Sequence, residues 1–235
     1  MSIQAILFDL DGTLLPMEQE KFVKAYFGGL CKRLAPFGYQ PESLVDAIWR
    51  GTAAMVKNTG EKKNEAVFWD TFAACLGEGI RAQESELEAF YREDFPKVQP
   101  SCGYDPRARR VIDLLKEKGM RLVLATNPIF PTLATECRIA WAGLTPSDFE
   151  LYTTYENSSF CKPNTEYYRA ILDRIGLSPE ECLMVGNDVD EDMVASTLGM
   201  KVFLLTDCLI NKAGADISAY PQGGFDELIA YLDTL

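Results

Sequence analysis

One stretch of the chain decides its fold: Ile3-Gln4-Ala5-Ile6-Leu7-Phe8-Asp9-Leu10-Asp11-Gly12-Thr13. The apolar run up to Phe8 is typical of a buried β-strand, and it ends on two carboxylates separated by one residue. In open α/β sheets, ligands bind beyond the carboxyl ends of the strands, where this pair would lie. Gly12 allows the backbone to bend so that both side chains turn toward one point. Carboxylates this close repel each other and require a cation or a proton, although Asp-Gly also occurs in ordinary turns.

The composition excludes several classes of protein. The chain has 235 residues, 47% of them hydrophobic and 25% charged, which is ordinary for a globular protein. Its net charge of −12 repels polyphosphate backbones, so we expect no nucleic-acid partner. No apolar run approaches the roughly 20 residues that span a bilayer, so we also expect no membrane partner.

The cysteines and the missing histidines bear on compartment and chemistry. Seven cysteines are scattered without a Cys-x-x-Cys pair, and no secretion signal is evident, which favours a cytoplasmic location with reduced thiols. The absence of histidine excludes Ser-His-Asp and Cys-His catalysis and histidine-ligated zinc. Acid–base work must therefore fall to carboxylates, lysines, tyrosines or cysteines.

Hydrophobic periodicity divides the chain into two parts. Residues from about 18 to 95 carry helical stripes of apolar side chains, such as Phe22, Tyr26 and Leu30, which we interpret as the core of a helical bundle. From residue 100 onward, helices alternate with apolar strands, which predicts a parallel sheet covered on both faces. We therefore expect a Rossmann-like, doubly wound α/β core from residues 1–15 and 100–235, with a helical domain, 16–99, inserted after the first strand.

Each predicted core strand ends in polar residues suited to phosphate chemistry. After Asp9 and Asp11, the strand at 122–125 leads to Thr126 and Asn127, which can donate hydrogen bonds to phosphate oxygens. The strand at 183–185 leads to Gly186-Asn187-Asp188 and, on the first turn of a helix predicted at 190–198, to Asp192. Lys162 precedes another helix and could be either a solvated surface charge or a phosphate ligand.

Electrostatics favours a phosphate- and metal-binding role for these residues. Asp9, Asp11, Asp188 and Asp192 would gather about four negative charges at one edge of the sheet, and two unit charges 4 Å apart cost about 4 kcal/mol at an effective dielectric of 20. A phosphate dianion could not enter unaided. Mg²⁺ bound by oxygen ligands, together with the ammonium of Lys162, would offset the repulsion, and the absence of imidazole disfavours zinc.

In this order, the residues resemble the motifs of the haloacid dehalogenase superfamily of hydrolases, in its phosphatase branch. The motifs are Asp9 to Thr13, Thr126-Asn127, Lys162-Pro163 and Gly186 to Asp192, and the helical insert lies where that superfamily carries its type 1 cap. The resemblance implies that Asp9 is the nucleophile and that Asp11 is the general acid–base. It also implies that Thr126, Asn127 and Lys162 bind the phosphoryl group and that Asp9, Asp11 and the last motif bind Mg²⁺.

One position departs from the pattern of the superfamily. An aspartate usually follows the glycine of the fourth motif, whereas this chain has Asn187 there and Asp188 after it. Either side chain could supply the ligand, and we favour Asp188 because a carboxylate binds a hard cation better than an amide does. Asp192 would then support Lys162 or a metal-bound water.

The resemblance predicts the activity in outline. Keeping Asp11 favours hydrolysis of small phosphate monoesters over carbon–halogen cleavage, since a halide needs no acid to leave. The alternatives are a mutase relative that transfers the phosphoryl group and a non-catalytic module that binds a phosphorylated metabolite or a protein. For substrate recognition, the basic loop from Lys57 to Lys63 could contact an anionic substrate or could be a solvated turn.

Overall fold

The computed structural model describes residues 2–234, and its centre is a six-stranded parallel sheet. The strands run in the spatial order β3-β2-β1-β4-β5-β6, and each neighbouring pair is parallel. The strands are β1 (Ala5–Phe8), β2 (Arg121–Leu124), β3 (Leu151–Tyr152), β4 (Cys182–Gly186), β5 (Lys201–Leu205) and β6 (Gln222–Gly223). This arrangement confirms the predicted doubly wound α/β class.

Within residues 2–234, eight α-helices accompany the sheet. They are α1 (Gln19–Leu34), α2 (Pro41–Val56), α3 (Asn64–Leu76), α4 (Glu84–Ala89), α5 (Pro106–Glu117), α6 (Thr132–Trp141), α7 (Thr165–Ile175) and α8 (Phe225–Leu232). Shorter 3₁₀ segments lie at Ala35–Phe37, Glu78–Gln83, Phe95–Ser101, Pro146–Asp148, Pro179–Glu181 and Met193–Leu198, and a π-helical turn lies at Phe90–Asp94.

Alternate residues of β1 face opposite sides of the sheet, as the geometry of a strand requires. Ile6 and Phe8 belong to a core shared with α5, α6, α8 and the helices before residue 101, whereas Ala5 and Leu7 belong to a second core shared with α7 and the segment Met193–Leu198. All four side chains are fully buried. The uniformly apolar first strand is therefore explained by burial on both faces.

The segment that leads from β1 into α1 and the segment that returns from these helices to the sheet lie side by side. Met17 pairs with Cys102 in an isolated antiparallel bridge, and the amide of Gly103 donates to the carbonyl of Pro16 over 2.7 Å. Helical structure continues to Ser101, slightly past the expected end of the insert at residue 99. The division into a core of 1–15 and 100–235 and a helical domain of 16–99 stays a prediction.

The start of α5 shows how a local signal sets a helix boundary. Asp105 caps the helix by accepting from the amide of Arg107 over 2.8 Å, with Pro106 in the first helical position. Two elements differ from the sequence-based expectation. The helix predicted at 190–198 is a 3₁₀ segment that begins only at Met193, and the two-residue strand β6 was not predicted. Within residues 2–234, no helix combines the length and the apolar character needed to cross a bilayer.

Candidate active site

The carboxyl edge of the sheet brings together the polar residues that follow β1, β2 and β4. Asp9 and Asp11 follow β1, Thr126 and Asn127 follow β2, and Asn187 follows β4 directly. All of these line one cavity of about 350 Å³ that lies between this edge and the helices α1 to α4. Parallel strands end on the same side, which is why residues more than 100 positions apart meet here.

Asp9 lies on the floor of the cavity and is braced by two side chains. One of its oxygens, Oδ1, accepts a hydrogen bond from the ammonium of Lys162 over 2.9 Å, and Oδ2 accepts one from the Thr13 hydroxyl over 3.2 Å. Asp9 as a whole is 7% exposed. Its carboxylate is thus fixed in orientation while one edge still faces the cavity.

Lys162 is a fully buried cation between two carboxylates. Besides Asp9, its Nζ donates to Asp192 Oδ1 over 2.6 Å, and none of its side chain is exposed. Burial alone would lower the pKa of Lys162, but the carboxylates of Asp192 and Asp9 outweigh that effect and raise the pKa well above its ordinary value. A solvated surface lysine, the alternative left open by the sequence, is therefore excluded.

Asp192 belongs to the loop that follows β4. Its Oδ2 accepts from the backbone amide of Asp188 over 3.0 Å, so the side chain ties Lys162 to this loop. Gly186 allows this contact, because a Cβ on it would lie 2.1 Å from Asp192 Oδ2. The sequence leaves two roles open for Asp192, support of Lys162 or of a metal-bound water, and the contact seen here is the one with Lys162.

Asp11 is held by a residue that the sequence did not indicate, Arg138 on α6. The guanidinium Nη1 of Arg138 pairs with Asp11 Oδ2, whereas Asp11 Oδ1 is buried without a hydrogen-bond partner in the described part of the chain. Burial raises the pKa of Asp11, and the Asp9 carboxylate adds to this effect, while Arg138 opposes both. Asp11 therefore has one anchored oxygen and one oxygen left for another group.

Arg138 itself is built into the protein interior. It is 1% exposed, and its guanidinium lies 4.4 Å from the centre of the Phe130 ring. Its Nε donates to the carbonyl of Ala134 over 3.2 Å. The available signal was an arginine on the apolar face of α6, one turn after Ala134, which by itself names no partner.

Thr126 and Asn127 lie where the sequence predicts. The backbone carbonyl of Thr126 accepts from the Thr153 hydroxyl over 2.6 Å and from the Tyr167 hydroxyl over 2.8 Å, which fixes the loop after β2. Asn127 Nδ2 donates to Glu191 Oε2 over 3.0 Å. Burial raises the pKa of Glu191 to about 7, and this side chain also lines the cavity.

Asn187 and Asp188 make different contacts. Asn187 Oδ1 accepts from the Thr13 hydroxyl over 3.0 Å, the same hydroxyl that contacts Asp9, and Asn187 Nδ2 donates to the carbonyl of Cys208 over 2.7 Å. Asp188 Oδ1 accepts from the backbone amides of Asp190 and Glu191 over 2.8 and 3.0 Å. The Asn187 amide oxygen thus lies near Asp9, while one oxygen of Asp188 is committed to its own loop.

The donor chemistry fits a hard cation such as Mg²⁺. The cavity gathers carboxylate and amide oxygens from Asp9, Asp11, Asn187 and Asp188, and Asp11 Oδ1 is buried without a hydrogen-bond partner among the described residues. In residues 2–234, however, no three acidic or cysteine side chains stand close enough together to form a metal site by themselves. The amide oxygen of Asn187 would therefore have to complete a set of ligands with the carboxylates.

The basic loop between α2 and α3 does not face the cavity. Lys62 Nζ pairs with Asp70 over 2.9 Å, and Lys63 Nζ donates to the carbonyl of Asn157 over 3.2 Å. Neither side chain is among the described residues that line the cavity. Both contacts agree with the alternative of a solvated turn.

A parallel sheet with paired carboxylates and a buried ammonium at its carboxyl edge is the architecture of an α/β enzyme. Residues 3–196 match the family described as haloacid dehalogenase-like hydrolase, and the chain belongs to that family. The family match makes the chain a hydrolase, and several of its curated relatives are named as phosphatases or pyrophosphatases.

Three individual matches illustrate the similarity. Phosphoserine phosphatase of Thermus thermophilus is 27% identical over 224 residues, covering 83% of this chain and 85% of the relative. A 2-haloacid dehalogenase from Pseudomonas syringae superposes with a TM-score of 0.65 at 19% identity over 99% of both chains. The HAD-hydrolase YfnB from Bacillus subtilis, bound to magnesium, superposes with a TM-score of 0.58 at 19% identity, over 99% of this chain and 100% of that one. The two structural matches support the fold.

Proposed function

We propose that this protein is a Mg²⁺-dependent phosphatase that hydrolyses small phosphorylated metabolites through an aspartyl-phosphate on Asp9. The observation that carries the proposal is the pair Asp9 and Asp11 on the cavity floor, one braced by Lys162 and the other by Arg138 with an oxygen left free. A carboxylate nucleophile and a nearby carboxylic acid are sufficient for a two-step displacement at phosphorus.

In the first step, an oxygen of Asp9 forms a bond to phosphorus and the bond from phosphorus to the ester oxygen breaks. Asp11 gives its proton to the departing oxygen, which leaves as an alcohol. In the second step, Asp11 takes a proton from water, the water oxygen bonds to phosphorus, and the bond to Asp9 breaks to release inorganic phosphate. Lys162 and the hydroxyl of Thr126 neutralise and orient the phosphoryl oxygens throughout.

The proposed metal ligands are oxygens of Asp9 and of Asn187 or Asp188, with Asp11 contributing beside them. Bound Mg²⁺ would neutralise phosphoryl charge and allow a dianion to approach the carboxylates. The all-oxygen donor set and the magnesium-bound relative support this cofactor.

The presence of Asp11 favours hydrolysis of phosphate esters over carbon–halogen cleavage. An alkoxide is a poor leaving group and needs a proton, whereas a halide leaves without one. An acid placed two residues from the nucleophile is therefore useful for phosphate esters and superfluous for haloacids. All seven cysteines are unpaired, which supports extending the proposal to a cytoplasmic enzyme.

The test is release of inorganic phosphate from a panel of small monoesters with and without Mg²⁺. We expect hydrolysis that requires the metal, and we expect Asp9→Asn to lower kcat by at least about 10³-fold because the nucleophile is lost. Asp173→Asn, an exposed aspartate on α7, is the matched control and should keep full activity. Full activity of Asp9→Asn would refute the assignment of Asp9 as the nucleophile. Binding of esters without hydrolysis by the unsubstituted protein would favour a non-catalytic module.

A further inference from the structure

The cavity above Asp9 has two chemically different halves. Its floor consists of the polar residues at the sheet edge, while its opposite wall comes from α1 to α4 and is mostly aromatic. Representative members of this wall are Phe22, Phe27, Trp49, Phe68, Trp69 and Phe72. The phosphoryl group would occupy the floor, so the rest of a substrate would meet this aromatic wall.

The polar groups of that wall are few and partly paired with each other. Gln19 and Thr52 lie on it, and the hydroxyl of Tyr26 hydrogen-bonds over 2.9 Å to that of Tyr91, from the π-helical turn that follows α4. Among the described residues lining the cavity, the only cation is Lys212, which lies beyond β5 and outside helices α1 to α4. A carboxylate or second phosphate pointing toward the helices would lose its hydration without gaining a counter-charge there.

Trp49 adds a second observation. Its ring packs edge-on against Phe27, with 5.5 Å between centroids, and it lines the cavity while 51% of the residue remains exposed. Pockets that bind small molecules are lined mainly by hydrophobic and aromatic side chains, and the exposed part of Trp49 leaves apolar area that a ligand could cover. The cavity, about 350 Å³, has room for a ring or a branched chain beside a phosphate.

We propose that the substrates are phosphate monoesters of apolar alcohols or phenols, whose organic group packs against this aromatic wall. This inference rests on the proposed phosphatase function and specifies its substrate class. Sugar phosphates would bury several hydroxyls against a wall with few polar groups, and phosphorylated hydroxy acids would bury a carboxylate, so both classes should be poor substrates.

The test compares kcat/KM for n-alkyl phosphates from methyl to hexyl, phenyl phosphate, a hexose phosphate and a phosphorylated hydroxy acid. We expect kcat/KM to rise by about fourfold for each added methylene until the wall is covered, which is the gain from burying one such group. Phenyl phosphate should exceed the hexose phosphate and the phosphorylated hydroxy acid by at least about 100-fold. A flat or falling series, or preference for the anionic esters, overturns the proposal.

Trp49→Ala tests the wall directly. We expect the ratio of kcat/KM between hexyl and methyl phosphate to fall by about tenfold, with partial recovery in Trp49→Phe. Phe37 is a matched control because it is 43% exposed and does not line this cavity, and Phe37→Ala should leave the ratio unchanged. Phosphate release from acetyl phosphate separates the two hypotheses. Hydrolysis of acetyl phosphate with no preference among the esters refutes only the substrate class, whereas no hydrolysis of any ester refutes the phosphatase function and this proposal with it.

Discussion

Arg138 and Asp11 form an ion pair that links α6 to the loop after β1, across 127 positions of the chain. The guanidinium is almost fully buried, whereas the Asp11 side chain is 23% exposed toward the cavity. One carboxylate oxygen is anchored and the other has no hydrogen-bond partner within residues 2–234. The pair would therefore hold Asp11 in place for the proton transfers of the proposed mechanism.

Removing this anchor should impair the acid step of the proposed mechanism. We expect Arg138→Met to lower kcat by about 10–100-fold, with a larger loss for alkyl esters than for 4-nitrophenyl phosphate, whose leaving group needs no proton. Kinetics on both esters measures the difference. Equal losses on both would indicate that Arg138 serves only the fold.

The same substitution should also cost stability. Breaking a fully buried pair costs about 3–5 kcal/mol, and the partial exposure of Asp11 should reduce this to about 2 kcal/mol. Arg138→Lys keeps the charge but loses the planar contact with Phe130. Its free energy of unfolding should therefore lie between those of the unsubstituted protein and Arg138→Met. Urea unfolding of the three proteins provides the comparison.

Lys162 should be needed for both activity and folding. Replacing it by methionine leaves Asp9 and Asp192 facing each other without a counter-charge. It also removes the proposed donor to the phosphoryl group. We expect kcat to fall by about 10²–10³-fold and the free energy of unfolding to fall by about 3 kcal/mol. Lys201→Met, at the exposed start of β5, is the control and should change neither quantity. Near-normal kcat in Lys162→Met would contradict the assigned role.

The sequence predicted best those site residues that the topology of the sheet brings together. Asp9, Thr126 and Asn187 could be placed at one edge because the strands before them are apolar, short and parallel, and parallel strands end together. The sequence could not show whether Lys162 is buried or is a surface lysine, because its ion-pair partner Asp192 lies 30 positions away in a loop. The strand β6 has only two residues, Gln222 and Gly223, and carries no apolar pattern.

Helical periodicity could not predict that the aromatic residues line a cavity or that Arg138 pairs with Asp11. A helical stripe marks the residues that are turned away from water, and Phe22 and Phe72 are indeed buried. It does not distinguish a side chain packed in a core from one facing a cavity, and these two do both. The position of Arg138 was equally visible, but its partner was not, because side-chain pairing between distant segments leaves no local pattern.

The identity of the fourth-motif ligand can be tested by metal titration. The sequence favours Asp188, whereas the contacts favour Asn187, whose amide oxygen shares the Thr13 hydroxyl with Asp9. We therefore expect Asn187→Ala to raise the Mg²⁺ concentration for half-maximal activity by about tenfold or more, and Asp188→Ala to raise it less. The opposite order would restore Asp188 as the ligand.

The stability of the protein in acid should depend on Asp148, far from the catalytic chemistry. Its carboxylate is 5% exposed and pairs with Arg109 over 2.6 Å and Lys116 over 2.8 Å. Burial by itself would raise the pKa of Asp148, but the two cations and the amide of Thr145 outweigh it and hold the pKa well below its ordinary value. A depressed pKa means that the native state favours the ionised form.

The sign of the pH dependence follows from this shift. The stabilisation by Asp148 is fully present above its unfolded pKa of about 3.9 and is lost as the pH falls through the lower pKa of the folded state. We expect Asp148→Asn to lower the free energy of unfolding at pH 7 by about 1.5–3 kcal/mol, the usual contribution of hydrogen bonds to a charged group. Urea unfolding at pH 7, 4 and 3 should show this difference shrinking only below pH 4, whereas Asp173→Asn should match the unsubstituted protein throughout. A difference that stayed constant down to pH 3 would mean that the Asp148 ion pairs do not set the acid stability.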